Sequence, residues 1–173
     1  MARYVGLLRG INVGGKNKVA MTELRTLVES LGCTDVTTFI QSGNVVFTTG
    51  ASITPARLEG AIEKRFGIDI TVVLRTPRDL KRILEANPFA DVDQSKVHVG
   101  FMAKNPAAAA VANLDADRFA PEQFAIRGRE LYLHLPNGMG RAKLPPYIDR
   151  QLKIPTTIRS WATVTTLVEL AGR

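Results

Sequence analysis

Read by its apolar spacing, the chain opens on a short buried strand, RYVGLLR (Arg3–Arg9), that ends in a glycine loop. In TELRTLVESLG, Leu24, Leu27, Val28 and Leu31 recur at helical spacing, with Thr22 as the cap and Gly32 as the stop. VTTFIQSGNVVFTT reads as two strands joined tightly at Ser42-Gly43. TPARLEGAIEKRFG has Thr54 to cap, Pro55 at the first helical position and Leu58, Ile62 and Phe66 on one face; ITVVLR is another strand. The order β-α-β-β-α-β predicts a ferredoxin-like split βαβ unit.

TPRDLKRILEANP predicts a connecting helix over Thr76–Ala86, after which the pattern recurs. VHVGFM is a strand, NPAAAAVAN a short helix capped by Asn105 with Pro106 first, and EQFAIRG with ELYLHL a hairpin. LPPYIDRQLK is a helix, PTTIRS a strand, and WATVTTLVELAG an amphipathic helix with Trp161, Val164, Val168 and Ala171 on one face. The expected class is α+β: two ferredoxin-like (alpha-beta plait) units with mainly antiparallel sheets, a connecting helix and a C-terminal helix. The expected boundaries are 1–76, 77–95 for the connector, and 96–173.

Composition is ordinary for a globular protein, with 45% hydrophobic and 23% charged residues. No apolar run approaches membrane-spanning length, no signal-peptide pattern stands at the start, and Cys33 has no partner for a disulfide or a zinc site. These features point to a cytoplasmic protein that neither enters a membrane nor holds a metal. Net charge is +7, unevenly spread: Arg3, Arg9, Lys16 and Lys18 precede the first acid, Glu23. Residues 137–160 carry Arg141, Lys143, Arg150, Lys153 and Arg159 against Asp149 alone. Such asymmetry attracts nucleotides, nucleic acid or acidic metabolites.

Two glycine-rich basic loops follow strands. In LRGINVGGKNKV, Gly10, Gly15 and Lys16 stand at P-loop spacing, but Asn17 replaces the magnesium-binding hydroxyl and NKVAM intervenes before the helix. The expectation is an anion nest of backbone amides with Arg9, Lys16 and Lys18, not a nucleotide hydrolase. LPNGMGRAKLPP joins Gly138 and Gly140 to Arg141, which offers a bidentate fork, and Lys143, a point charge. In IQSGN, Gln41, Ser42 and Asn44 suit a tight turn, and Ser42 lacks the surroundings of an activated nucleophile. By alternation His98 shares a face with Gly100 and Met102, and His134 with Tyr132. Both histidines are expected to point away from the helices of the second unit, onto a ligand face, an incomplete metal pair or, best, a surface packed on the first unit. The aromatic strand of an RNA-binding RRM is absent.

YVGLLRGINVGGKNKVAMTELRTLVESLG, TFIQSGNVVF, NPF and LHLPNGMGRAKL together resemble the bacterial DUF1697 family, from residue 3 to about 170. The resemblance implies two alpha-beta plait units and brings no activity, substrate or cofactor. Its recurrent polar positions fall on Arg9, Asn12, Gln41, Asn44, Arg141, Lys143 and Arg159, with Trp161. Ala142 stands where the family pattern has serine, and Ser160 and Ala162 where it has asparagine, so hydrogen-bonding groups are lost while the cations stay.

The resulting expectation is an anionic ligand (nucleotide, nucleic acid, or phosphorylated or carboxylated metabolite) held between the two loops. Arg9, Asn12, Lys16, Gln41 and Asn44 would stand on one side and Arg141, Lys143 and Arg159 on the other. The alternatives are a small transferase or hydrolase in the same cleft, with His98 or His134 as acid/base, or an interaction and assembly module. No particular cofactor or oligomeric state is indicated.

Overall fold

The computed structural model describes residues 1–173. The chain divides into two compact units, Met1–Lys81 with Thr166–Arg173, and Arg82–Thr165. The first contains β1 (Ala2–Leu8), α1 (Met21–Ser30), β2 (Thr34–Phe39), β3 (Asn44–Thr49), α2 (Pro55–Phe66) and β4 (Val72–Arg75). Its sheet runs β2-β3-β1-β4 with every neighbouring pair antiparallel, the ferredoxin-like order. Tyr4, Leu8, Val45 and Phe47 alternate onto one face and cluster with Leu24 and Val28 of α1 and Leu58 and Ile62 of α2.

Local signals explain most boundaries. Thr54 caps α2 by accepting the Arg57 amide at 3.2 Å, and Gly67 ends it at φ 70°. α1 departs from expectation: it starts at Met21, and Ala20, not Thr22, holds the cap position with no side-chain bond. The chain is steered there by the loop before it, where the Val19 amide donates to Asn12 Oδ1 at 2.8 Å. The β2–β3 turn is also longer than read, taking four residues, 40–43, with Phe39 facing Asn44 across it.

α3 (Pro77–Glu85) carries a reciprocal cap: the Asp79 amide donates to Thr76 Oγ1 at 3.1 Å, while the Thr76 amide and hydroxyl donate to Asp79 Oδ2 at 2.9 and 2.8 Å. The second unit continues with β5 (Val97–Met102), α4 (Ala108–Ala112), β6 (Gln123–Arg127), β7 (Glu130–His134), α5 (Leu144–Leu152) and β8 (Thr156–Ser160). Its sheet order, β6-β7-β5-β8, repeats that of the first unit. Pro155 does not prevent β8, because it precedes the strand and contributes its carbonyl to the Ala103 amide. α4 begins later than predicted: Ala107 is its N-cap, still extended at ψ 136°, and no side chain caps it, so Asn105 and Pro106 lie outside the helix.

The register corrects the histidine reading. Val97 pairs with His134 and Val99 with Tyr132, while His98 pairs with Leu133 and Gly100 with Leu131. Directly paired residues share a face, so the two histidines lie on opposite faces. His98 is on the side where Leu131, Leu133 and Leu135 pack against Leu144, Tyr147 and Ile148 of α5. Val97, Val99 and Phe101 share the other face with Tyr132, whose hydroxyl donates to the Ile83 carbonyl of α3 at 2.8 Å. The central strands β5 and β7 are buried on both faces, so alternation gives each of them two largely apolar sides and leaves the register of β5 on β7 undetermined. α6 (Trp161–Ala171) forms as predicted, but its fully buried apolar stripe is Val164, Leu167 and Ala171; Trp161 and Val168 are half-buried flanks.

Candidate functional site

The glycine loop after β1 is a miniature hairpin. The Lys16 amide donates to the Val13 carbonyl at 3.0 Å and the Asn12 amide to the Asn17 carbonyl at 3.1 Å. Gly14 and Gly15 have φ of 58° and 74°, the positive pair that a primed turn requires. These bonds close the loop on itself, and α1 starts five residues beyond Lys16, so the cradle and helix of a P-loop are absent.

Asn12 ties this hairpin to the β2–β3 turn. Its Nδ2 donates to the carbonyls of Val19 (2.9 Å) and Gln41 (2.8 Å), while Oδ1 accepts from Val19. Asn44, fully buried, donates from Nδ2 to the Phe39 carbonyl and Ser42 Oγ. At Gly43, φ 88°, a Cβ would stand 2.7 Å from Ile11 Cδ1 and 2.8 Å from Leu8 Cβ, so only glycine fits. The motif residues GIN and QSGN thus form a structural clasp. The carboxamides of Asn12 and Asn44 are committed inside it, and the exposed polar groups on the loops it joins include Arg9, Lys16, Lys18 and Gln41.

In the second unit the loop after β7 is held differently. The Gly138 amide donates to the Leu135 carbonyl, residues 139–141 form a single 3-10 turn, and Lys143 is the N-cap of α5. Residues 145 and 146 are prolines, so the helix entrance offers few amides. Those of Lys143 and Leu144 are taken by the buried carboxylate of Glu122, at 3.1 and 3.2 Å from Lys143 and 2.7 Å from Leu144. An anion therefore already sits at the start of α5, supplied by the chain itself.

Around this carboxylate lies an open cavity of about 550 Å³ lined by Arg118, Phe119, Pro121, Asn137, Arg141 and Lys143. None of the three cations is in an ion pair. The Arg118 guanidinium lies 5.5 Å from the centre of the Phe119 ring and 5.1 Å from that of Tyr147, which fixes its position. The structure thus brings together Arg141 and Lys143, two of the residues singled out by sequence, and adds Arg118 and Glu122. Glu122 meets the loop 21 residues later, and no local pattern announces such a contact.

Arg159 is not on this wall. It lies in β8 opposite Val99, on the sheet face away from α5, and donates to Thr157 Oγ1 at 2.7 Å. Burial lowers its guanidinium to about 10, which leaves it charged at neutral pH. Burial also pushes the Tyr132 hydroxyl up to about 12 and the His98 imidazole down; the Nδ1 of His98 is buried without a hydrogen-bond partner. No group of three or more His, Cys, Asp or Glu is placed to hold a metal ion, and no helix is long and apolar enough to cross a membrane.

The family pattern described as "Protein of unknown function (DUF1697)" matches residues 1–132. The chain belongs to the DUF1697 family. That match covers the whole clasp and ends before the 137–143 loop, short of the residue 170 to which the sequence resemblance was extended. A similar solved structure is that of the conserved bacterial protein SP0830 from Streptococcus pneumoniae, with 27% identity, a TM-score of 0.72 and 98% of each chain covered. No curated protein matches this DUF1697 chain.

Proposed function

We propose that this DUF1697 protein binds an anionic ligand in the cavity of its second unit, with Arg141 and Lys143 as the charged contacts and Arg118 beside them. One observation carries the reading: three unpaired cations line one cavity, and the sole carboxylate on its wall is spent on two backbone amides. A volume of about 550 Å³ falls within the range of small-molecule sites, about 300–1,000 Å³. Arg141 supplies a planar fork and Lys143 a mobile point charge, a pairing suited to phosphate or carboxylate. In the first unit, Arg9, Lys16 and Gln41 on the clasped loops offer a separate anion-contacting surface.

The test is calorimetric titration with inorganic phosphate and with citrate, comparing the wild type with Arg141→Glu. Saturable binding by the wild type, weakened about tenfold or more by the charge reversal at unchanged melting temperature, is expected, a loss of about 1.4 kcal/mol. Binding unaffected by the reversal, or no binding of either anion, removes the reading. Arg9→Glu with Lys16→Glu, titrated alongside, reports on the first unit by itself.

A further inference from the structure

The cavity around Glu122 has two chemically different walls. Arg141, Lys143 and Arg118 carry the positive charge, and with Glu122 the only acid the lining holds two positive charges in excess. A phosphate monoester, with a charge of about −1.5 to −2 at neutral pH, matches that excess better than a single carboxylate does. Besides Asn137, the remaining lining is the contiguous apolar stretch Phe119, Ala120 and Pro121, and Phe119 is half-buried, so part of its surface stays open to solvent. Its ring is held in place by an edge-on contact with Tyr147, centroids 5.4 Å apart and planes at 66°. A fixed aromatic ring beside a phosphate-binding fork is a combination that recognises a flat group attached to a phosphate.

Building on the anion-binding reading above, we propose that the ligand is a nucleoside monophosphate, its phosphate on Arg141 and Lys143 and its base against Phe119 and Pro121. Arg118, seated over Phe119 and Tyr147, then stands between the two walls and reaches the phosphate or the sugar. Glu122 is a positioning residue: by fixing the Lys143 and Leu144 amides it sets where both loop cations emerge.

The experiment titrates the full chain with inorganic phosphate, each of the four common ribonucleoside monophosphates, the matching nucleosides, and a 5′-phosphorylated trinucleotide. At least one monophosphate is expected to bind about tenfold more tightly than phosphate, the scale of one base-aromatic stack. Phe119→Leu, which keeps an apolar side chain of similar bulk, is expected to abolish that ratio. Phe119→Tyr is expected to restore it. A trinucleotide that binds more tightly than the monophosphate identifies a strand end as the source of the same group; weaker binding identifies the free nucleotide. Phosphate binding with no gain from any base, or a ratio insensitive to Phe119→Leu, overturns the nucleotide assignment while anion binding stands. Silence from phosphate and nucleotides alike overturns both.

Discussion

The two units share a sheet order and even the same pair of hydrogen bonds where the first strand ends. In the first, the Leu8 amide donates to the Gly43 carbonyl and the Arg9 amide to Thr71; in the second, Met102 donates to Arg129 and Ala103 to Pro155. What surrounds these bonds differs. The first unit closes a four-residue turn against Leu8 and Ile11 and locks it with Asn12; the second needs only the two residues Gly128 and Arg129. The basic loops also occupy different topological places: one leaves the first strand of its unit, the other the third. Because those strands are antiparallel, each such loop leaves the opposite end of its own sheet. Two loops of like composition are therefore not repeats of one site. Similar residues serve a backbone clasp in one unit and line a cavity in the other.

The sharpest way to break this comparison is at the turn glycines. Gly43→Ala adds a Cβ into Leu8 and Ile11 at φ 88° and is expected to cost about 3–4 kcal/mol in urea unfolding. Gly128→Ala, at φ 62° with no atom closer than 3.8 Å, is expected to cost about 1 kcal/mol. Equal losses would mean that the first turn is not held by close fit.

Removing each loop's fastener comes next. Asn12→Ala leaves the Val19 amide and two carbonyls to find other partners, and Glu122→Ala orphans the amides of Lys143 and Leu144. Each is expected to cost about 2–3 kcal/mol. Only the second should also weaken phosphate binding, because only that loop carries the proposed contacts. Phosphate affinity that survives Glu122→Ala would separate loop order from binding.

The smallest effect distinguishes the two faces of the second sheet. Burial lowers the His98 pKa in the folded state, so below about 6.5 the unfolded chain takes up the proton more readily. Stability should therefore fall as pH drops from about 7 towards 5. His98→Gln should flatten that slope, and equilibrium unfolding at several pH values measures it. An unchanged slope would show that the imidazole is not the group responsible.

Most of the fold is legible because it rests on local chemistry. Thr54-Pro55 and Gly67 bracket α2, the alternation in VHVGFM places β5, and the repeated element order gives both sheets. What sequence alone misses depends on contacts between distant segments. The pairing of β5 with β7 is fixed by tertiary packing, so His134 lies on the Tyr132 face as expected while His98 lies on the opposite one. Glu122 and Arg118 stand in RFAPE, which has no periodic or motif signal, and reach the 137–143 loop only after folding. Asn12 and Asn44 were visible as polar motif residues, but nothing in their spacing says that their amides face backbone rather than ligand.

The first unit is discontinuous in sequence, since Thr166–Arg173 belongs with Met1–Lys81. Arg3, at the start of β1, donates from Nη2 to the Leu170 carbonyl, joining two ends of the chain separated by the entire second unit. During synthesis, which proceeds from the N-terminus, the first sheet emerges early yet waits for its last turns of helix until all the intervening residues have been made. The order of manufacture and the order of completion are reversed: the unit begun first is the one finished last.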